Sequence, residues 1–406
     1  MDNKKYWLTA VLLLCPLLLC FILPGSNAVA FARENTMVPA KAANQLSIEE
    51  LRLPKAMAAM PGLTRILEPR IALFSEQLSR VRNLTAFTQL VLRHGSGLWR
   101  DAVAGFDQQQ DNDDRALYWA RLKMTRAIRQ APVFTSLLPA QQQKLLWQFE
   151  LLSRGQQDIK FNRKAKKRVL ITGFDPFFLD RKITQANPSG AIALALDGLS
   201  LSFDGSSAEI ESLILPVRFH DFDQGMVETL LTPYFKENKI DMLITISMGR
   251  EHFDLERFPG LRRSASAPDN LNVYTGASEQ APLLPKLGKK QLSGPEFLEF
   301  SLPAEAMQAV AGSYPVNDNR KVQTLDGKVT AASLTALQGQ VSVEGSGGGY
   351  LSNEISYRSL LLREQYAPLI PVGHIHTPKI SGYQAAESKK ITTQVKAMIS
   401  AALTGI

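Results

Sequence analysis

The chain has 406 residues, 45% of them hydrophobic and 21% charged, with a net charge of +8 and a pI near 9.3. That composition belongs to an ordinary globular protein, long enough for two domains and a well-buried core. The basic balance would suit a polyanion, but the cations are scattered apart from Arg163-Lys164-Ala165-Lys166-Lys167-Arg168, which reads as a solvated linker, and no nucleic-acid-binding module is visible.

Residues 1–30 read as a signal peptide. Lys4 and Lys5 precede an apolar run from Tyr6 to Pro24, and small residues Ala28-Val29-Ala30 prepare cleavage before Phe31. The alternative is an uncleaved membrane anchor through residues 6–24, the one route to a membrane partner. Cys15 and Cys20, the only cysteines, both lie here, so the mature chain has no thiol for a disulfide, a metal site or a nucleophile. The expected location is periplasmic or secreted.

Residues 31–160 read as a helical N-terminal domain that opens with a tether to about Ala43. Ser47 with Glu50 forms a capping-box pattern. Ile71, Phe74, Leu78, Val81, Phe87 and Val91 follow at helical spacing, with His94-Gly95 as the expected helix end. A polar break at Asp111 to Asp114 precedes a second helical pattern, Leu117, Ala120, Met124 and Ile128. A third starts at Pro139. Nothing in this stretch suggests chemistry, and its aromatic stripes read as core.

After the basic linker, 161–168, the pattern changes. Val169 to Thr172, Ile210 to Val217, Ile240 to Ile246 and Leu369 to Ile375 read as buried strands. Gly190 to Leu199 and Phe222 to Lys236 read as helices between them. Alternating strands and helices predict a largely parallel α/β sheet across 169–404, with ligands at the carboxyl ends of the strands. The stretch Asn317 to Gln340, rich in Thr, Ala, Gln and Gly, reads as a surface excursion.

Within that sheet, Glu344 to Glu354, EGSGGGYLSNE, carries a glycine run into an expected helix start with Ser352 at the hinge. Backbone N–H groups there favour an anion or a developing oxyanion, so Ser352 is either a helix cap or a nucleophile. His374 and His376 face the same way if the segment is a strand. They are a metal pair with Asp254 or Glu256 as third ligand, one catalytic His376 beside a bystander, or two structural histidines. Asp254 and Glu256 also alternate, so either would orient a facing imidazole, or pair with Arg257 or Arg262 instead.

These residues stand in an ordered set of motifs. VLITGFDPF at Val169 to Phe177, with Asn187-Pro188-Ser189, resembles the opening of the pyroglutamyl peptidase I (pyrrolidone-carboxylate peptidase) family. Leu215-Pro216-Val217, Gly249-Arg250, Leu255-Glu256-Arg257, Pro268-Asp269-Asn270, Gly294-Pro295 and Ser301-Leu302-Pro303 match further family motifs in order. Tyr350-Leu351-Ser352-Asn353 falls on the nucleophile stretch and Gly373 to Pro378 on the histidine stretch. The resemblance spans 169–404. It implies a three-layer α/β/α sandwich, here preceded by a separate all-helical domain, and a homo-oligomer, since family members commonly form tetramers.

It also implies an activity, removal of N-terminal pyroglutamate from peptides, without any cofactor. Carried over by position, the catalytic roles fall on Ser352, His376 and Glu256, and the substrate pocket on Phe174, Phe177 and Asn187. Three departures accompany the matches. Phe178-Leu179 replaces a glycine pair, Ser266 replaces an arginine beside the oxyanion, with Arg262 or Arg263 as candidates to reach the same region, and serine replaces the nucleophilic cysteine. Serine needs a base where a thiol partly ionises unaided, and it resists oxidation outside the cell. The expectation is an exported hydrolase using Ser-His-Glu acyl transfer on a peptide or small cyclic amide. The alternative is an inactive relative that binds such a ligand. Chelator-sensitive hydrolysis through His374 and His376 is a third reading.

Overall fold

The computed structural model describes residues 45–108 and 113–405. The expected signal peptide or anchor, the tether to about Ala43 and the first two residues of the polar break at Asp111 to Asp114 lie outside the described residues. Helices α1 (Ile48–Leu51), α2 (Leu53–Ala59), α3 (Glu68–Arg80), α4 (Leu84–Gln108), α5 (Arg115–Gln130), α6 (Pro132–Thr135) and α7 (Pro139–Leu152) form the N-terminal region. The Ser47 capping box is formed, its hydroxyl accepting from Glu50 N at 3.2 Å and Glu50 Oε2 from Ser47 N at 2.7 Å.

The expected helix end at His94-Gly95 is absent, because α4 continues through it. A Cβ on Gly95 would lie 3.2 Å from Leu152 and Phe149 of α7, and one on Gly97 2.5 Å from the Arg70 guanidinium. The glycines allow neighbouring elements to close on the helix, which outweighs their poor helix propensity. The real break falls at Val81 to Asn83, between α3 and α4.

The second region supplies β1 (Lys167–Phe174), α8 (Pro188–Leu196), β2 (Leu199–Phe203), β3 (Ser206–Leu215), α9 (Phe219–Asp223), α10 (Met226–Lys236), β4 (Met242–Met248) and β5 (Phe253–Glu256). A hairpin of β6 (Lys286–Leu287) and β7 (Lys290–Gln291) follows, then α11 (Ala304–Gln308) and β8 (Val316–Asn319). Last come β9 (Lys321–Thr324), β10 (Gly327–Thr330), β11 (Ser342–Glu344), α12 (Leu351–Tyr366), β12 (Val372–Thr377) and α13 (Ala385–Thr404). Seven strands order as β2-β3-β1-β4-β12-β5-β8. The central β3, β1, β4 and β12 are parallel, β2 and β5 enter antiparallel, and β8 is parallel to β5.

The alternation of apolar residues builds three layers. Leu170, Leu213, Leu243 and Val372 meet α10 and α12 on one face. Val169, Ile171, Ile210, Ile244 and Ile375 meet α8 and α13 on the other. Both faces are covered, which is why these strands read as continuous apolar runs.

The helical region precedes the sandwich as expected and packs against it, Trp99, Phe106 and Phe149 sharing one core with Ala191 and Leu194 of α8 and with Ile214 of β3. One expectation changes here. The excursion at 317–340 is in part sheet. Its first residues complete β8, and β9, β10 and β11 form a small sheet. Val322, Ala331 and Leu337 of this segment pack with Phe258 and Phe297.

Candidate active site

Strand β12 carries His374 and His376 onto one face, with ring centroids 4.9 Å apart and planes at 90°. Antiparallel β5 sets Asp254 opposite His376 and brings Glu256 to its diagonal. Glu256 Oε1 lies 2.5 Å from His376 Nδ1, and Glu256 is fully buried. Parallel β8 aligns Asn317 with Asp254 and Asn319 with Glu256. Each amide donates to its carboxylate, Asn317 Nδ2 to Asp254 Oδ1 at 3.0 Å and Asn319 Nδ2 to Glu256 Oε2 at 2.8 Å. The same Asn319 nitrogen also donates to Ser346 O at 2.9 Å. Asn317-Asp318-Asn319 is polar throughout, so no pattern in the sequence singles out Asn319, and its role follows from the register of β8 on β5.

His374 has a different fate. Its ring nitrogens bond the Thr245 and Ser247 hydroxyls, each at 2.8 Å, and burial, then the neighbouring His376, push its pKa well below the ordinary value. It is a neutral structural histidine whose nitrogens are already engaged. Among the described residues, no group of three or more His, Cys, Asp or Glu side chains is arranged to hold a metal.

The glycine turn fits against this pair. Gly345 and Gly348 exchange backbone hydrogen bonds of 3.0 and 2.9 Å, with Gly348 at φ +85°, a conformation that favours glycine. Gly349 packs so close to Ser264 that a Cβ would lie 1.9 Å from its hydroxyl oxygen. Gly347 lies over the histidine, a Cβ there standing 3.5 Å from His376 Cε1. Asn353 anchors the far side, its Oδ1 accepting from Gly260 N at 2.9 Å and its Nδ2 donating to Gly260 O at 2.7 Å.

Ser352 is the second residue of α12 and not its cap. Tyr350 holds the cap position without a side-chain bond, and the N–H groups of Leu351, Ser352 and Asn353 have no acceptor among the described residues. The Ser352 hydroxyl donates to Gly347 O at 3.3 Å. Among the described residues it makes no hydrogen bond to His376.

The remaining candidates separate. Phe174 is a core residue stacked with Phe222 at 6.2 Å. Phe177 is half-buried, its ring 4.6 Å from that of Phe178. Asn187 caps α8, its Oδ1 accepting from Ser189 N and Oγ and its Nδ2 donating to Asp175 O, so both polar atoms are used within the fold. Arg262 pairs with Glu296. Arg263 pairs with Glu354 and Asp223. Burial pushes the Glu354 carboxyl up, but Arg263 and Arg358 outweigh it and hold the group below its usual range.

Phe178 sits at φ +59°, a left-handed conformation costing a bulky residue about 1–2 kcal/mol. The N-terminal helices hold it there. Leu179 is buried among Leu53, Ala56 and Trp119. Arg52 bonds Asp180 at 2.6 and 2.8 Å, Asn270 O at 2.5 Å and Asn272 Oδ1 at 3.0 Å. Asn270 in turn donates to Pro176 O at 2.8 Å, which joins the loop after β1 to the 268–270 loop on which Tyr350 leans through Pro268 O at 2.9 Å.

The fold and site define an α/β protein with a hydrogen-bonded histidine–glutamate pair beside a serine at a helix start, on a sheet sealed by N-terminal helices. The chain belongs to the PA0049 family. Residues 31–150 match the family model described as the PA0049 N-terminal domain, and 168–309 with 310–381 the PA0049 C-terminal domain. PA0049 of Pseudomonas aeruginosa, described as an uncharacterized protein, is 31% identical over 86% of this chain and 80% of its own. Solved structures similar to the chain include a mutant pyrrolidone carboxyl peptidase from Pyrococcus furiosus, at 22% identity, TM-score 0.41, 59% of this chain and 99% of that one. A structure of the same enzyme, described together with its cysteine-free mutant, matches at 22% identity and TM-score 0.40, again over 59% and 99%.

Proposed function

We propose that the chain is an exported hydrolase of the pyroglutamyl-peptidase type in which serine replaces cysteine, acting on amino-terminal pyroglutamyl or a related cyclic acyl group. The observation that carries this reading is the bond from His376 Nδ1 to buried Glu256. With the proton on Nδ1, the carboxylate fixes the tautomer that leaves Nε2 as a base, and a pocket that only binds needs no such pair.

In the proposed reaction the Ser352 side chain rotates away from Gly347 O toward His376. Nε2 takes the hydroxyl proton as Oγ forms a bond to the substrate acyl carbon. The oxyanion forms against the unpaired N–H groups of the α12 first turn. Collapse breaks the acyl–nitrogen bond, and Nε2 returns its proton to the leaving amine. Water, deprotonated by the same nitrogen, then releases the acyl group and restores the serine.

The test is reaction of the purified protein with a fluorophosphonate, read by intact mass, beside turnover of a pyroglutamyl amide. One adduct and turnover, both absent in Ser352→Ala, are the expected result. No adduct and no turnover in the native protein would sink the reading. One observation favours the alternative of a binding protein, the Ser352 hydroxyl bonding Gly347 O in place of His376. A thermal shift with pyroglutamate and no turnover would support it.

A further inference from the structure

A cleft lies at the opposite end of the sheet from His376, where β1 and β4 begin. It has a volume of about 620 Å³. Arg163, Lys166, Arg168 and Lys239 line it, and no carboxylate does. The chain segment that reads as a solvated linker in the sequence folds back here as one wall.

Its cations differ in what surrounds them. Arg168 is fixed by Asp241 at 2.9 Å, and Lys239 meets Glu237 at 2.7 Å. Arg163 and Lys166 are exposed and have no carboxylate partner among the described residues. Glu209 reaches the rim only to accept from the Asn162 N–H. The back of the cleft is apolar, since Ile159, Phe161 and Tyr234 pack onto the core beneath the sheet. A volume of this size exceeds what a lone inorganic ion fills and falls in the range, roughly 300–1,000 Å³, of small-molecule sites.

We propose that this cleft binds an organic phosphate, its anionic group held by Arg163 and Lys166 with Arg168 and Lys239 behind, and its apolar body laid against Ile159, Phe161 and Tyr234. The combination selects the class. Several converging cations suit a group with multiple charged oxygens, since lysine meets it as a point charge and arginine as a planar fork. The apolar back wall disfavours a fully hydrated ion. A soluble phosphate ester and the headgroup of a phospholipid share this chemistry.

The experiment uses the full chain and the double variant Arg163→Ala with Lys166→Ala, both exposed positions remote from the triad, with circular dichroism to verify folding. Phenyl phosphate titration by calorimetry is one arm. Flotation with phosphatidylglycerol vesicles, against phosphatidylcholine, is the other. Saturable, salt-sensitive phenyl phosphate binding that weakens about tenfold or more in the variant assigns the cleft to a soluble ester. Flotation with phosphatidylglycerol alone, lost in the variant, assigns it to a lipid headgroup. If neither probe binds, or the folded variant binds as well as the native chain, the proposal is wrong.

Discussion

At the scale of single residues, the most informative side chain is one the sequence hides in an insert. Asn319 donates one nitrogen to both Glu256 Oε2 and Ser346 O, so it ties the carboxylate behind the histidine to the turn that carries Gly347. Hydrogen bonds to charged groups contribute about 1.5–3 kcal/mol, which corresponds to roughly tenfold to a hundredfold. If the chain is the proposed hydrolase, Asn319→Ala lowers kcat by that order while KM stays near its native value, because no substrate contact is removed. A variant with the native kcat would reduce Asn319 to a packing residue.

At the scale of elements, β3 carries a carboxylate that opposes stability. Glu211 is 5% exposed, and burial, then Asp197 and Glu209, push its pKa up to about 8. Between the ordinary carboxylate range and about pH 8 the folded chain binds a proton that the unfolded chain lacks. Stability from this group is thus complete in acid and falls as pH rises through the folded value. Glu211→Gln should raise the Tm at pH 8.5 and leave it nearly unchanged at pH 5; equal shifts at both would refute the assignment. The elements themselves were unequally legible in the sequence. β1, β3, β4 and β12 declare themselves because burial on both faces demands unbroken apolar runs. β2, β5 and β8 are short edge or near-edge strands, and Val316 to Asn319 has almost no apolar content, so pairing with β5 and not propensity makes it a strand. The same gap hid one member of the candidate site. Glu256, His376 and Ser352 were accessible as motifs, whereas Asn319 depends on a register that only the folded sheet supplies. His94-Gly95 misled for the converse reason, since local signals for a helix end are overridden where glycine admits a neighbouring helix.

At the scale of the whole molecule, the N-terminal helices are part of the α/β region's interior. Asp175, in the loop after β1, is 3% exposed and pairs with Arg121 of α5 at 2.9 Å and with Arg154, just past α7, at 2.8 Å. Arg218 extends the network by bonding Glu49 of α1 at 2.8 Å and Glu150 of α7 at 2.9 Å. Burial pushes the Asp175 and Glu150 carboxyls up, but the arginines prevail and hold both below their usual range. Their contribution is present above the unfolded carboxylate pKa and is lost as pH falls through the lower folded values, so the network weakens in acid. Asp175→Asn leaves two buried guanidiniums facing each other without their shared carboxylate, and removing one partner of such a set costs about 3–5 kcal/mol. The midpoint of urea unfolding should fall accordingly. Deleting all residues before 159 removes Arg121 and Arg154 together and uncovers Leu179, Ala191, Leu194 and Ile214, which the helices bury. A chain beginning at residue 159 should therefore lack near-ultraviolet dichroism and cooperative unfolding. If it unfolds cooperatively near the native midpoint, the two regions are independent domains and the shared core is a contact without energetic weight. The same comparison separates two roles for the helices, because a chain that folds without them yet loses the ordered loop at Phe177 and Phe178 would show that they act on the site mouth and not on the fold.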